Sequence, residues 1–169
     1  MKFEKRHKIE SAVASKKDYR EKLQDCYLDV EKPRLLATDG HILAIVPVET
    51  GEHDTTGYIS VEALTSQRKA TGKKVEHVEL ACNGSVALPD GRTFPREDYG
   101  IYPNVDSVLP KPESRNFHVA LNADLLHRLA DAIGSEVVVL HFDTTNPLGC
   151  ISVTGKATLA TGAIMPCKL

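Results

Sequence analysis

The stretch RLLATDGHILAIVPVE, Arg34 to Glu49, decides how the chain is read. Its centre, Asp39-Gly40, is a turn dipeptide: glycine tolerates positive φ, and an aspartate side chain accepts hydrogen bonds from the local backbone. Apolar runs lie on both sides, Leu35-Leu36-Ala37 before it and Ile42 to Val48 after it. Two strands closing on a two-residue Asp-Gly turn make a β-hairpin. Thr38 and His41 flank that turn, which puts both side chains at the rim of a sheet.

The chain has 169 residues, 41% hydrophobic and 26% charged, the composition of a globular protein with room for a buried core. Its net charge of −2 excludes a uniformly basic nucleic-acid binder but not a local basic face. Two basic clusters stand out: Lys2, Lys5, Arg6, Lys8, Lys16, Lys17, Arg20 and Lys22, then Arg68, Lys69, Lys73 and Lys74. Cys26, Cys82, Cys150 and Cys167 are widely spaced without a CxxC pair, so buried free thiols are expected and no metal or cofactor is. The start, MKFEKRHKIE, lacks the apolar segment of a secretory signal, and no run nears the roughly 18 apolar residues of a membrane span. The expectation is a cytoplasmic protein without membrane contact.

From the hairpin outward, Lys8 to Lys17 carries a weak helical pattern with Ile9, Ala12 and Val13 on one face. Whether Phe3–His7 extends that helix or forms a strand before it stays open. Cys26 to Val30 alternates as a strand does. Gly57–Ile59 reads as a short strand and Ser60 as the N-cap of a helix from Val61 to about Ala70, ended by Gly72. Val75, Val78 and Leu80 fall in a following strand, and Asn83-Gly84 and Asp90-Gly91 separate further short strands. Pro95 to Pro112 reads as a linker crossing the surface. Phe117–Leu121 then alternates, Asn122 caps, and Leu125, Leu126, Leu129 and Ile133 line one helical face before Gly134. Ser60 to Gly72 and Asn122 to Gly134 have the same spacing, with Val75 and Val137, then Val78 and Leu140, at matching offsets beyond, which predicts an internal repeat of strand, capped helix and strands. The N-terminal segment is a third, more degenerate copy. The fold class expected is α+β, single helices packed on mostly antiparallel sheet, about three half-units in all.

Three stretches resemble the bacterial sliding clamp, the β subunit of DNA polymerase III: LLATDGHILA, YPNVDSVLP (Tyr102–Pro110) and the terminal GAIMPCKL. DYREKLQDCYLDV, Asp18 to Val30, is similar to the segment leading into the clamp's middle domain. The resemblance divides the chain into residues 1–112, like that middle domain, and 113–169, like the second half of the last domain. The family closes its ring from six two-unit domains, so ring closure by this chain is left in doubt.

The resemblance implies a non-catalytic replication accessory protein with a hydrophobic groove for short peptides of polymerases and other replication partners. Carried over by position, the groove would use Arg20, Leu23, Thr38, Gly40, His41, Leu43, Pro103, Val108, Ile164, Met165, Pro166 and Leu169. Leu, Val, Met and Pro suit an apolar floor, where each buried anchor contributes roughly 1.5–3 kcal/mol. Ser107 stands where the family often has a basic residue. The resemblance also implies phosphate contacts to duplex DNA from basic helices, here Lys5, Arg6, Lys8, Lys16, Lys17, Arg68, Lys69, Lys73 and Lys74, and assembly with copies of itself. Two other readings compete. One is a non-ring decoy that sequesters clamp-binding peptides. The other is a small hydrolase using Asp39 and His41, with Asp143 as a third member, although no GxSxG, P-loop or HExxH is present.

Overall fold

The computed structural model describes residues 1–109, 118–143, 145–146, 149–156 and 158–167. Packing divides the chain into two compact units, Met1–Val108 and Leu109–Leu169. Phe117 and Pro110, and the expected boundary at 112/113, fall outside the described residues.

The first unit is organised by a four-stranded antiparallel sheet, order β4-β3-β2-β5, formed by β2 (Cys26–Asp29), β3 (Arg34–Thr38), β4 (Leu43–Pro47) and β5 (Gly57–Ile59). Both faces of this sheet are covered, which explains the unbroken apolar run of β3. Cys26, Leu28, Leu35, Ala37 and Ile59 point into the main core, while Tyr27, Leu36 and Tyr58 point the other way. The main core also receives Ala63 and Leu64 from α1 (Val61–Ala70), Phe3 from β1 (Lys2–Glu4), Val78 from β6 (His77–Glu79), Cys82 from β7 (Ala81–Asn83) and Val86 from β8 (Ser85–Ala87). Strand β9 (Thr93–Pro95) completes a three-stranded sheet with β7 and β8, and β1 pairs with β6, which places Phe3 in the middle of a strand rather than in a helix. Helix α1 begins as the sequence predicts: the Ser60 hydroxyl accepts from Ala63 N at 3.2 Å, and Asp25 adds a second cap from Val61 N at 3.1 Å. Val75 precedes β6 and is exposed.

Two expectations need correction. The segment Lys8–Lys17 is not a helix; only Ile9–Ala12 forms a 3₁₀ turn. His7 O is taken by Arg68, Lys8 O accepts from both the backbone N and the hydroxyl of Ser11, and Ala14 N donates to Leu23 O. The segment 95–112 is not merely a surface linker, because Tyr102 and Val105 are buried. Tyr102 stacks on Tyr27 with ring centroids 4.7 Å apart, and Tyr58 meets both edge-on. Offset and edge-to-face aromatic pairs add to the burial they share, so this cluster holds the 99–105 segment against the second face of the sheet.

The second unit packs α2 (Ala123–Ala132) on an antiparallel sheet of β10 (Val138–His141), β11 (Ile151–Gly155) and β12 (Thr161–Ile164), order β10-β11-β12. Asn122 caps α2 through Asp124 N and Leu125 N. Leu126, Leu129 and Ile133 meet Ile151, Val153 and Ile164, whereas Leu125 lies off that face and is 46% exposed. Gly162 permits a close crossing: a Cβ there would stand 2.5 Å from Leu129 Cδ1. Both units therefore show single helices on antiparallel strands, the α+β class expected.

Candidate functional site

The hairpin β3–β4 ends at the pair Thr38–Leu43, so its loop is the four residues Asp39–Ile42 rather than a two-residue turn. The side chains on either side of Gly40 build that loop. Asp39 Oδ1 accepts from His41 N and Ile42 N, both at 2.8 Å, and these donors, Ile42 first, hold its carboxyl below the usual range. Thr38 Oγ1 accepts from Gly40 N at 3.0 Å and donates to Ile42 O at 2.6 Å. Gly40 has φ 90°, a conformation that side-chain-bearing residues rarely adopt.

Arg20 fixes the loop from outside. Its guanidinium donates to Asp18 from Nε (3.0 Å) and Nη2 (2.7 Å), and Nη2 also donates to Asp39 O at 2.9 Å. The Arg20 side-chain hydrogen bonds, followed by its backbone N–H, pull the Asp18 carboxyl down to about 2. A Cβ on Gly40 would lie 2.5 Å from Arg20 Nη1, so the absence of a side chain lets the guanidinium reach across the loop.

The facing wall comes from 102–108. A 3₁₀ turn, Val105–Ser107, follows the buried Tyr102. Asp106 in that turn accepts from Arg34 Nη1 (2.6 Å) and Nη2 (2.9 Å) and from Lys32 Nζ (2.7 Å), and Arg34 first, then Lys32, hold its carboxyl far below the usual range. The turn is thereby tied to the strand that leads into the hairpin.

Between these walls lies a cavity of about 470 Å³ lined by Arg20, Lys22, Leu23, Thr38, Gly40, His41, Ile42, Leu43, Pro103, Asn104, Val105 and Val108. Leu23 and Val105 are buried in its floor, while Ile42 and Val108 stand exposed at its edge. The eight positions expected in the groove from the first 108 residues all line this one cavity. Sequence reasoning missed Lys22, Ile42, Asn104 and Val105, whose only local signal is adjacency to positions already chosen. The four expected positions near the C-terminus belong to the other unit. There Ile164 is buried in that unit's core, Met165 is 61% exposed, Pro166 is half-buried, and Leu169 lies outside the described residues.

The basic residues divide. Arg68 is bound to Glu10 through Nε (2.7 Å) and Nη2 (2.8 Å) and to the carbonyls of Lys5 and His7, so its charge serves the fold. Lys5 donates to Thr71 O and Gly72 O, and Arg6 pairs with Glu4. Lys8, Lys16, Lys17, Lys69, Lys73 and Lys74 are exposed and have no ion pair among the described residues.

The acid–base set finds no assembly within the first unit. Asp39 is committed to the loop amides, while Asp143, in the other unit, accepts from Thr145 N and Oγ1. Among the described residues no group of three or more His, Cys, Asp or Glu could hold a metal ion, and no helix is long and apolar enough to cross a membrane.

No family model matches the chain, and no curated protein matches it in sequence. Solved structures do match. The DNA polymerase III subunit beta of Pseudomonas aeruginosa superposes with a TM-score of 0.69 at 15% identity, covering 98% of this chain and 50% of that one. The DNA polymerase sliding clamp of Bacillus subtilis gives 0.67 at 19% identity (98% and 48%), and that of Caulobacter crescentus 0.66 at 19% (98% and 50%). The resemblance read from the hairpin and the Met-Pro segment thus holds at the level of the fold. The chain spans about half the length of the clamps it matches.

Proposed function

We propose that this chain is a clamp-type DNA replication accessory protein without catalytic activity, and that its first unit docks short apolar peptides of polymerases or other replication partners. The observation carrying this reading is the convergence of three segments, 20–23, 38–43 and 103–108, on one cavity with an apolar floor and a polar rim. Those segments are distant in sequence, and each is fixed by its own bonds: Arg20 by Asp18, the loop by Asp39 and Thr38, and 105–107 by Asp106. A floor of Leu, Val and Pro takes leucine or phenylalanine side chains, and a pre-formed wall spares a peptide the cost of ordering its receptor.

A peptide with a Gln and a Leu-Phe pair should bind with micromolar Kd, roughly −8 kcal/mol. His41→Ala with Leu43→Ala should weaken that binding at least tenfold; a thermal melt of each variant separates the loss of contact from the loss of the packing that half-buried Leu43 makes on the tyrosine cluster. Equal binding by wild type and double variant contradicts the reading.

Duplex DNA is the second partner proposed, through Lys8, Lys16, Lys17, Lys69, Lys73 and Lys74. Contacts of that kind are independent of sequence and weaken steeply with salt. Assembly of several copies around DNA and a non-ring peptide binder use the same groove; mass in solution separates them.

A further inference from the structure

We propose that Asn83 is a site of spontaneous covalent modification. The backbone nitrogen of Gly84 displaces its side-chain amide, which leaves aspartate or isoaspartate at the tip of the β7–β8 hairpin.

Three pairs of Asp or Asn followed by Gly stand at turns of the first unit, Asp39-Gly40, Asn83-Gly84 and Asp90-Gly91, and each glycine has positive φ. In each pair, attack of the glycine nitrogen on the preceding side-chain carbonyl closes a five-membered ring, and glycine has no side chain to hinder the approach. Two of the pairs are restrained. Gly40 N donates to Thr38 Oγ1 and Gly91 N to Leu88 O, both at 3.0 Å, so neither nitrogen is free to turn on its neighbour. Their carboxyls are held below the usual range, Asp39 by the amides of Ile42 and His41 and Asp90 by Arg92, and an ionised carboxylate is a poor electrophile. Asn83-Gly84 lacks both restraints. Asn83 is exposed, and among the described residues neither its side chain nor Gly84 N makes a hydrogen bond. No atom lies within 4 Å of the place a Cβ on Gly84 would take.

The step needs only water. Gly84 N loses its proton and bonds to Asn83 Cγ; the bond from Cγ to the side-chain nitrogen breaks, and ammonia leaves with a proton. Water then opens the resulting succinimide. Cleavage at Cγ gives aspartate, and cleavage at the backbone carbonyl gives isoaspartate, whose main chain runs through the former side chain. Either product puts a carboxylate where a neutral amide stood. Asn83 must first rotate out of its strand conformation to present Cγ. The tip offers little resistance, because β7 and β8 have three residues each and only Gly84 separates the paired Asn83 and Ser85. Exposed tips with few buried contacts open at low cost.

The test incubates the full chain at neutral and at mildly alkaline pH and follows each asparagine-bearing peptide by mass spectrometry. The controls are Asn104, followed by the β-branched Val105, and Asn122, whose Oδ1 accepts from Asp124 N and Leu125 N. The Asn83 peptide should gain one mass unit about ten times faster than either control, because only glycine leaves the attacking nitrogen unhindered. The gain should quicken at the alkaline pH, and part of the product should accept a methyl group from an isoaspartyl methyltransferase. Asn83→Gln, whose longer side chain closes a less favourable ring, should remove that methyl acceptance. A gain at Asn83 no faster than at the controls overturns the proposal. So does isoaspartate forming at Asp39 or Asp90 of the folded chain as fast as at Asn83.

Discussion

The two units solve the same packing problem with unequal resources. In Met1–Val108 the central sheet is covered on both faces, and α1 buries Ala63, Leu64 and Gln67. In Leu109–Leu169 the helix α2 has no fully buried residue; its side chains meet a small core of Ile133, Ile151, Val153 and Ile164, while Val139 on the other face of the sheet is 45% exposed. A helix on a single sheet closes one side of that sheet only. The first unit adds a second layer, the tyrosine cluster, and that added layer is also what supports one wall of the groove. Core depth and site therefore have one origin in this fold.

The comparison breaks most visibly in the cores. Leu28→Ala empties a position with no exposure and should destabilise the first unit by roughly 2–5 kcal/mol. Leu126→Ala, on the half-covered α2, should cost only about 1 kcal/mol. Urea unfolding followed by near-ultraviolet dichroism reads the first unit, where every tyrosine of the chain lies, and far-ultraviolet dichroism at the same urea steps reads both units. Equal costs at the two leucines would remove the distinction drawn between the units.

A smaller effect is expected at the loop. Gly40→Ala forces a side chain into a φ of 90° and against Arg20 Nη1, which should cost about 1–2 kcal/mol and loosen peptide binding together with stability. A melt unchanged from wild type would show that the Arg20–loop contact is not rigid.

The smallest effect concerns pH. Asp18 has its pKa lowered from 3.8 to about 2, principally by the Arg20 side-chain hydrogen bonds. A depressed carboxylate pKa means that its stabilising contribution is complete above the unfolded value and is lost as pH falls through the folded one. Wild type should therefore melt above Asp18→Asn at neutral pH, and the difference should shrink between about pH 4 and pH 2. A difference that stays constant across that window would place the effect of Asp18 elsewhere.

What could be read in advance followed local rules. Alternation marked β2, a continuous apolar run marked β3, Ser60 and Asn122 marked both helix starts, and the Asp-Gly pair marked the hairpin, although not the length of its loop, which is fixed by the bonds of Thr38 and Asp39 to Ile42. The helical pattern at Lys8–Lys17 failed because Arg68, far along the chain, takes the backbone carbonyl of His7. The burial of Tyr102 and Val105 left no local sign either: Asp106 finds Arg34 across 72 positions, and a distant ion pair leaves no local pattern. Eight positions chosen through the resemblance line one cavity, whereas Lys22, Ile42, Asn104 and Val105 line it without any local sign in the sequence.

The central claim, that the first unit carries a peptide-docking groove, is tested most directly by mapping amide shifts in the labelled full chain as the Gln and Leu-Phe peptide is added. The account predicts that perturbations concentrate at Leu23, Thr38, Gly40, Leu43, Val105 and Val108, the lining of one cavity. Shifts that instead centre on α1 or on β7–β9, with these six unmoved, would contradict it.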